Sequence, residues 1–212
     1  KVYYNGDISK ARAYQNVRLV NKNTTLYTDT LDYDMAANIG FYEYNGKIVD
    51  STNTLTSEIA RYFIDDDIIH FYNSVEAHNE NYTLTSDTLL YNTETGRVFI
   101  TGPTTIRDSS NTMYAEDGWY DTHTGEAELL KNPLIYNENQ QLKANYIKYN
   151  EADGKGRALG NVHMEDFENS IVVTGNTADY NENLELALVT DSALFMMYSE
   201  KDTLFLHADT LR

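Results

Sequence analysis

The chain has 212 residues and a formal net charge of −17, because 33 Asp and Glu residues outnumber 16 Lys and Arg residues. Proteins that bind nucleic acid or anionic lipid headgroups neutralise phosphates with basic side chains, so this composition is atypical of both classes. No apolar run approaches the roughly 20 residues that a membrane-spanning helix needs. The sequence contains no cysteine, which fits both a reducing compartment and an exported bacterial protein.

The chain repeats itself, and a tyrosine marks each repeat. Successive marker tyrosines are 29 residues apart (33 − 4 = 29), except that the last interval is two residues longer (180 − 149 = 31). The markers are Tyr4, Tyr33, Tyr62, Tyr91, Tyr120, Tyr149 and Tyr180. A fixed period of this length predicts one supersecondary unit stacked on itself about seven times.

Two positions in each repeat carry Asn or Asp, which favour turns because they bond to their own backbone and tolerate left-handed dihedral angles. The first position directly follows the tyrosine, and Phe63 is its exception. Its other residues are Asn5, Asp34, Asn92, Asp121, Asn150 and Asn181. The second position lies 17 residues after the tyrosine (21 − 4 = 17) and carries Asn21, Asp50, Asn79, Asp108, Asn137 and Asp166. Two turns per repeat predict a β-hairpin.

The segments between these turns have the composition of strands. Arg97–Ile100 and residues 82–85, for example, are rich in the β-branched and aromatic types that suit a pleated surface. No window keeps helical apolar spacing for three turns, so we expect essentially no helix. The 2 prolines of the chain would interrupt few ladder hydrogen bonds. The sequence therefore predicts an all-β fold, a repetitive antiparallel meander of hairpins.

Apolar residues recur 15, 22 and 27 residues after the tyrosine. They include Leu19, Ile48, Ile106 and Ile135 at the first position, Leu26, Leu55, Leu84, Met113, Leu142 and Ile171 at the second, and Leu31, Leu89 and Ile147 at the third. Strand side chains alternate with a period of two, so the odd step from 22 to 27 requires a bulge or bend within the strand. We predict long strands that bend once, so that the meander folds into two facing sheets with these residues inside.

The unbroken period predicts a single elongated domain over residues 1–212. The chain begins in phase with the repeat and ends at Arg212, where a further tyrosine is due. We therefore expect it to be a fragment or processed form of a longer repeat protein.

An acidic residue recurs 25 residues after the tyrosine (29 − 4 = 25), at Asp29, Glu58, Asp87 and Glu116. Equivalent residues of successive hairpins lie roughly 10 Å apart, too far to share a cation whose ligands sit at about 2.3–2.6 Å. We interpret them as exposed residues at the bend. The five histidines share neither a repeat phase nor metal-ligand spacing. The sequence thus predicts no catalytic residue, no metal ligand and no cofactor, and a hydrolase with paired carboxylates is the least favoured alternative.

The strand that ends at the tyrosine carries a recognisable pattern, Leu-x-(Ser/Thr/Ala)-(Asp/Glu)-x-(Leu/Ile/Ala)-x-Tyr. It is seen in residues 26–33 and 84–91, and in residues 142–149 with Asn145 at the acidic position; a Gly-x-Val element follows at Gly160. The pattern resembles that of the OstA-like proteins, the LptA type of periplasmic lipopolysaccharide-transport protein of Gram-negative bacteria. The resemblance implies a twisted, V-shaped, open β-jellyroll whose cleft carries the acyl chains of lipopolysaccharide.

We therefore predict a non-catalytic periplasmic carrier of lipopolysaccharide or a related acylated glycolipid, held at either membrane by parts absent from this chain. The predicted lipid-binding residues are Leu19, Leu26, Leu31, Ile48, Leu55, Leu84, Leu89, Ile106, Met113, Ile135, Leu142 and Ile147. The resemblance also implies that edge strands join other OstA-like components, or further copies, end to end; residues 2–4 and 204–206 carry no proline that would protect such edges.

The alternative is a β-repeat scaffold or glycan-binding module with a closed core, whose exposed tyrosines stack on sugars. A carrier should bind an acylated ligand and ignore the deacylated saccharide, whereas a glycan-binding module should not discriminate in this way.

Overall fold

In a computed structural model, described for residues 1–21, 24–49, 52–184 and 186–212, the chain consists almost wholly of antiparallel β-strands. The prediction of an all-β antiparallel meander is thereby confirmed. The helical content of these described residues amounts to two single 3₁₀ turns, Ile64–Asp66 and Glu182–Leu184. The first of them replaces the hairpin turn after Phe63, which is the repeat that lacks Asn or Asp at that position.

The strands are grouped in two compact units, Lys1–Ser109 and Ser110–Arg212. The strands of the first unit are β1 (Val2–Asn5), β2 (Lys10–Asn21), β3 (Thr24–Asp34), β4 (Ile39–Tyr42), β5 (Gly46–Val49), β6 (Thr54–Ser57), β7 (Ile59–Phe63), β8 (Ile68–His78), β9 (Thr83–Asn92), β10 (Arg97–Ile100) and β11 (Thr104–Arg107). The strands of the second unit are β12 (Thr112–Ala115), β13 (Asp117–Asp121), β14 (Glu126–Leu130), β15 (Leu134–Tyr136), β16 (Gln140–Lys143), β17 (Tyr146–Asn150), β18 (Lys155–Asp166), β19 (Ile171–Asn181), β20 (Leu186–Tyr198) and β21 (Thr203–Leu211).

The predicted turn positions cap the hairpins at both ends. After the tyrosine, the Asn92 side chain accepts hydrogen bonds from the backbone N–H groups of Glu94 and Thr95, at 3.1 and 2.8 Å. At the other end, Asn79 accepts from the N–H groups of Asn81 and Tyr82, both at 2.8 Å. Corresponding bonds are made by Asp34, Asp121, Asn137 and Asn150. The remaining predicted turn residue Asp50 lies outside the described residues.

The predicted bend within each strand is present and has a specific cause. In β2, Tyr14 pairs with Thr30 and Val17 pairs with Thr28, so two residues of β2 oppose one residue of β3. Such a bulge redirects the strand and changes which side chains face inward. Equivalent register shifts interrupt β8, β18, β19 and β20, and the other long strands are divided into two short ones at the same repeat phase.

Left-handed backbone conformations, at the residues 11 and 12 positions after the tyrosine, produce the bulges. These residues are Gln15, Asn16, Asn45, Asn73, Ser74, Lys131, Asn132, Gly160, Asn161, Asp191 and Ser192, with φ between 48° and 72°. A side chain with a β-branch is disfavoured in this region, and Asn is tolerated. The polar character of the bend in every repeat therefore follows from its backbone geometry.

The recurrent acidic residue lies at this bend, as predicted, and holds it. The Glu58 N–H donates to the carbonyl oxygen of Asn73 at 3.0 Å, and its carboxylate accepts a bond of 3.0 Å from the Ser74 hydroxyl. In the second unit the Glu116 carboxylate pairs with the Lys131 ammonium at 2.8 Å and accepts from the Asn132 amide at 2.8 Å. The acid of one strand thus binds the bulge of its neighbour.

The two-residue excess of the last interval lies in the turn between β18 and β19. The equivalent turn between β15 and β16 leaves two residues between Asn137 and Gln140, which are joined by a backbone hydrogen bond of 2.9 Å. Between Asp166 and Ile171 there are four residues. The prediction that Ile171 occupies the apolar position is therefore wrong, because Val173 pairs with Met164 in its place.

Cross-strand ion pairs identify the outward face of the half of each hairpin that lies nearer the tyrosine. The Arg12 guanidinium binds the carboxylate of Asp32, the residue directly opposite, at 2.6 and 2.9 Å. Arg157 and Asp179 form the same arrangement in the second unit. Neighbouring residues on each strand point to the other face, which carries the apolar side chains of the repeat.

Candidate functional site

The predicted apolar positions 15 and 22 form one continuous cross-strand row in the first unit, which we call the graded row. Each residue is directly opposite the next in the register of the sheet. The row consists of Leu19, Leu26, Ile48, Leu55, Ala77, Leu84 and Ile106. Exposure falls along it, because Leu19 is 50% exposed, Leu26 to Ala77 are half-buried, and Ile106 is 4% exposed.

A graded row of the same phase runs through the second unit in the opposite sense. It consists of Met113, Ile135, Leu142, Met164, Val173, Phe195 and Leu206, each paired with the next. Met113 is 8% exposed, the following five residues are half-buried, and Leu206 is 52% exposed. Each unit therefore contains one sealed end and one open end of an apolar row.

A second row is sealed in both units, and we call it the buried row. It combines predicted position 27 with a position nine residues after the tyrosine that the sequence analysis missed. Its members in the first unit are Ala13, Leu31, Tyr42, Ala60, Phe71, Leu89 and Ile100, and in the second Gly118, Leu129, Ile147, Ala158, Ala178, Val189 and Leu211. Except for residues near the chain ends, all are buried. Position nine repeats with the tyrosine period and was available as a signal.

A side chain of the buried row crosses the bend and contacts the other half of the hairpins. The Tyr42 ring occupies the space beside Gly46, where an added Cβ would lie 2.1 Å from the ring. The Tyr42 hydroxyl shares a buried hydrogen bond of 2.7 Å with the Ser57 hydroxyl. In the second unit, the Val189 side chain approaches the equivalent space beside Gly175. Within each unit, the inward faces on either side of the bend therefore meet.

Small hydroxyl residues at position 24 allow this contact. Thr28, Ser57 and Ser86 are buried between the two halves. Each hydroxyl donates to the carbonyl oxygen two residues further along, at 3.2, 3.1 and 2.8 Å. Because a buried polar group is costly without a partner, these bonds let a small side chain occupy the bend without loss of stability.

The twelve predicted lipid-binding residues thus fall into the two rows, with different accessibility. Leu84, Leu89, Ile106, Met113 and Ile147 are buried. The partly exposed members are Leu19, Leu26, Leu31, Ile48, Leu55, Ile135 and Leu142. The second group comprises the residues that a guest molecule could contact without unfolding the sheet.

The marker tyrosines continue the inward face beyond the buried row. Five of the seven are half-buried, and they pair across the strands with smaller residues, such as Tyr33 with Gly40 and Tyr149 with Gly156. Their hydroxyls reach the hairpin turns, as when Tyr33 donates to Asn38. These tyrosines therefore close the tyrosine end of the sheet, and most of their ring surface is not available to a sugar.

Electrostatic perturbation is concentrated at the bend of the second unit. Hydrogen bonds from Lys131 and Asn132 lower the pKa of Glu116 from its ordinary value. The same bond to Glu116 raises the pKa of Lys131. Burial lowers the pKa of His70, whose ring lies 4.7 Å from that of Phe63 on the outward face. No group of three or more potential metal ligands occurs among the residues that the structure describes.

Each unit leaves one strand edge open within the described residues. β1 covers only residues 10–13 of β2, so the remainder of β2, including the exposed Leu19 and Val20, pairs on one side alone. β21 pairs with β20 on one side, and its Leu204, Phe205 and Leu206 are exposed. The open edges coincide with the open ends of the graded rows.

These features define a class of protein: an antiparallel hairpin-repeat protein with an inward apolar face that is partly accessible. Residues 1–87 match the family described as OstA-like protein, so the chain is OstA-like over this range and the predicted resemblance is confirmed there. Beyond residue 87 the bulges and both rows continue with the same phase. No match was found among curated protein sequences.

One similar solved structure is that of LptH from Pseudomonas aeruginosa, the LptA-homologous periplasmic component of the conserved lipopolysaccharide transport device. The two chains are 12% identical and align with a TM-score of 0.42 over 46% of this chain and 75% of LptH. Separately, none of the helices in the described part of the chain is long and apolar enough to cross a membrane.

Proposed function

We propose that the chain is a non-catalytic periplasmic carrier that holds the acyl chains of lipopolysaccharide, or of a related acylated glycolipid, against the open part of each graded row. The observation that carries this proposal is the gradient itself. A row used only as a core would gain roughly 1.5–3 kcal/mol for each Leu or Ile that it buries fully. Leu26, Ile48, Leu55, Ile135 and Leu142 are instead left half-buried in a continuous apolar row.

The free energy available at such a row is sufficient for a carrier. Each buried methylene contributes about 0.8 kcal/mol, so a chain of a dozen carbons offers on the order of 10 kcal/mol before the costs of ordering it. A net charge of −17 repels an anionic headgroup. The acyl chains should therefore lie on the inward face while the phosphorylated sugars remain in solvent.

The open strand edges support association with partners. Unpaired N–H and C=O groups recruit further strands unless they are blocked, and neither open edge carries a proline. Pairing of β21 with the free part of β2 in another copy, or with another OstA-like component, would continue the apolar row from chain to chain. We also propose that residues 1–212 act as one repeat domain, because the repeat phase continues through the boundary at Ser109.

The test is retention of lipopolysaccharide by the purified full chain and by two variants of adjacent residues. Leu142→Asp places a charge in the graded row, whereas Lys143→Asp changes the next residue, which is exposed and lies on the opposite face. We expect Leu142→Asp to lose at least about tenfold in affinity and Lys143→Asp to retain binding, with both variants folded by circular dichroism. Leu84→Asp is less informative, because Leu84 is sealed and its substitution should unfold the sheet.

The deacylated saccharide is the second arm of this experiment. Any binding that remains without acyl chains should be insensitive to Leu142→Asp. Equal binding of acylated ligand by the wild type and by a folded Leu142→Asp variant would contradict the carrier assignment and favour the closed-core alternative.

A further inference from the structure

The outward face of the first unit has a depression of about 730 Å³ that the carrier function does not use. It lies beside the bend, on the face opposite the graded row, and is contained entirely in one unit. Its volume is in the range of about 300–1,000 Å³ that small-molecule sites occupy.

One wall of the depression is a row of outward side chains in direct register. Tyr27 is opposite Lys47, Lys47 is opposite Thr56, and Thr56 is opposite Glu76. Neighbouring strands lie about 4.8 Å apart, so this row extends over roughly 14 Å. It presents, in order, an aromatic ring, an ammonium group, a hydroxyl and a carboxylate. Such a row can contact several successive units of an extended polar ligand.

The bend forms the other wall and adds a second ring. Tyr44 occupies the position 11 residues after the tyrosine marker (44 − 33 = 11), where other repeats have Asn73, Gly160 and Asp191. The backbone there requires only a small or polar side chain, so the fold does not explain an aromatic one. Tyr27 and Tyr44 are 43% and 67% exposed, and both line the depression.

We propose that this depression binds an oligosaccharide of uncharged or amino sugars. Exposed tyrosine rings offer flat apolar surfaces for the C–H faces of pyranose rings, and their hydroxyls remain free to bond in solvent. Asn16 and Asn45 at the bend supply amide donors and acceptors, and the carboxylates of Asp29 and Glu76 accept from sugar hydroxyls or amines. Asp29, Glu58 and Glu76 outnumber the single Lys47, so phosphorylated and carboxylated sugars are disfavoured.

The experiment uses the full chain, isothermal titration calorimetry and three free hexasaccharides: chitohexaose, its fully deacetylated amino-sugar form, and oligogalacturonate. Tyr44→Ala and Tyr27→Ala are compared with Tyr136→Ala, a control at a partly exposed tyrosine of the second unit. We expect the neutral or the amino sugar to bind, each depression variant to weaken that binding at least about tenfold, and the control and oligogalacturonate to show no such effect.

A fourth ligand, deacylated lipopolysaccharide, distinguishes the source of the sugar. Binding that depends on Tyr44 assigns the site to the saccharide of a glycolipid, and binding of chitohexaose alone assigns it to a free glycan. The proposal is overturned if neither sugar binds, if binding survives both tyrosine substitutions, or if the anionic oligomer binds equally well. Because Tyr44→Ala should leave Leu142-dependent retention of acylated ligand unchanged, failure of this proposal is distinguishable from failure of the carrier function.

Discussion

At the scale of single residues, the inward face depends on a few side chains that have room only because their neighbours are small. Gly46 is the clearest case, since the Tyr42 ring fills the space where any side chain would begin. Sequence analysis identified the periodic apolar positions but not this contact. A glycine at one position of one repeat carries no periodic signal, and its role appears only when the bend brings Tyr42 over it.

Gly46→Ala should destabilise the chain by roughly 1–3 kcal/mol, because the new methyl group overlaps the Tyr42 ring and the ring must leave its position. Urea denaturation provides the measurement. Gly40→Ala is the matched control, since no atom lies within 4 Å of an added Cβ there, and it should be neutral or slightly stabilising. Equal losses in both variants would show that the Tyr42 contact is not the cause.

Glu116→Gln should reduce the thermal stability more at neutral pH than in acid. The folded-state pKa of Glu116 is lowered, chiefly by the bond from Lys131, so its ionised form contributes stability that is present above the unfolded pKa. That contribution is lost as the pH falls through the lowered pKa. The difference in Tm between wild type and variant should therefore shrink below about pH 4. Glu138→Gln, in an exposed turn, is the control, and a Tm difference independent of pH would contradict the assignment.

At the scale of the element, most of the hairpin could be predicted from the sequence. The turn residues were identified because Asn and Asp have a specific backbone preference, and the bend was inferred because apolar residues change parity between positions 22 and 27. The cause of the bend was missed. Its left-handed residues range from Gln15 to Lys131 and Gly160, so the backbone geometry is conserved from repeat to repeat while the side chains are not. The four-residue turn after Asp166 was missed for a related reason, because a change in period does not reveal where in the repeat the extra residues lie.

Asn73→Val should cost about 1–2 kcal/mol, because residue 73 has φ of 61° and a β-branched side chain is strained in that region. Asn73→Gly, which reproduces the residue found at Gly160 in another repeat, should cost less. Chemical denaturation of both variants measures the difference. If valine and glycine were equally tolerated, the left-handed bulge would not determine the bend.

At the scale of the whole molecule, the repeat explains both the regularity of the rows and their limited accessibility. Positions 15, 22 and 27 were correctly assigned to the inward face, yet periodicity treats all copies alike. Exposure does not follow the period, because it depends on how many neighbouring hairpins cover a residue. Leu84 and Leu142 occupy the same position in different repeats, but the first is sealed and the second is half-buried.

The most direct test of the carrier account is a map of contacts with lipid along the graded rows. Benzoylphenylalanine would be placed singly at Leu26 and Leu142 on the inward face and at Glu76 and Lys143 on the outward face, and each protein irradiated with intact lipopolysaccharide. The account predicts crosslinks to the acyl chains at both inward positions and little or none at the outward ones. Crosslinks of equal yield on the two faces, or none at Leu26 and Leu142 in a folded protein, would contradict it.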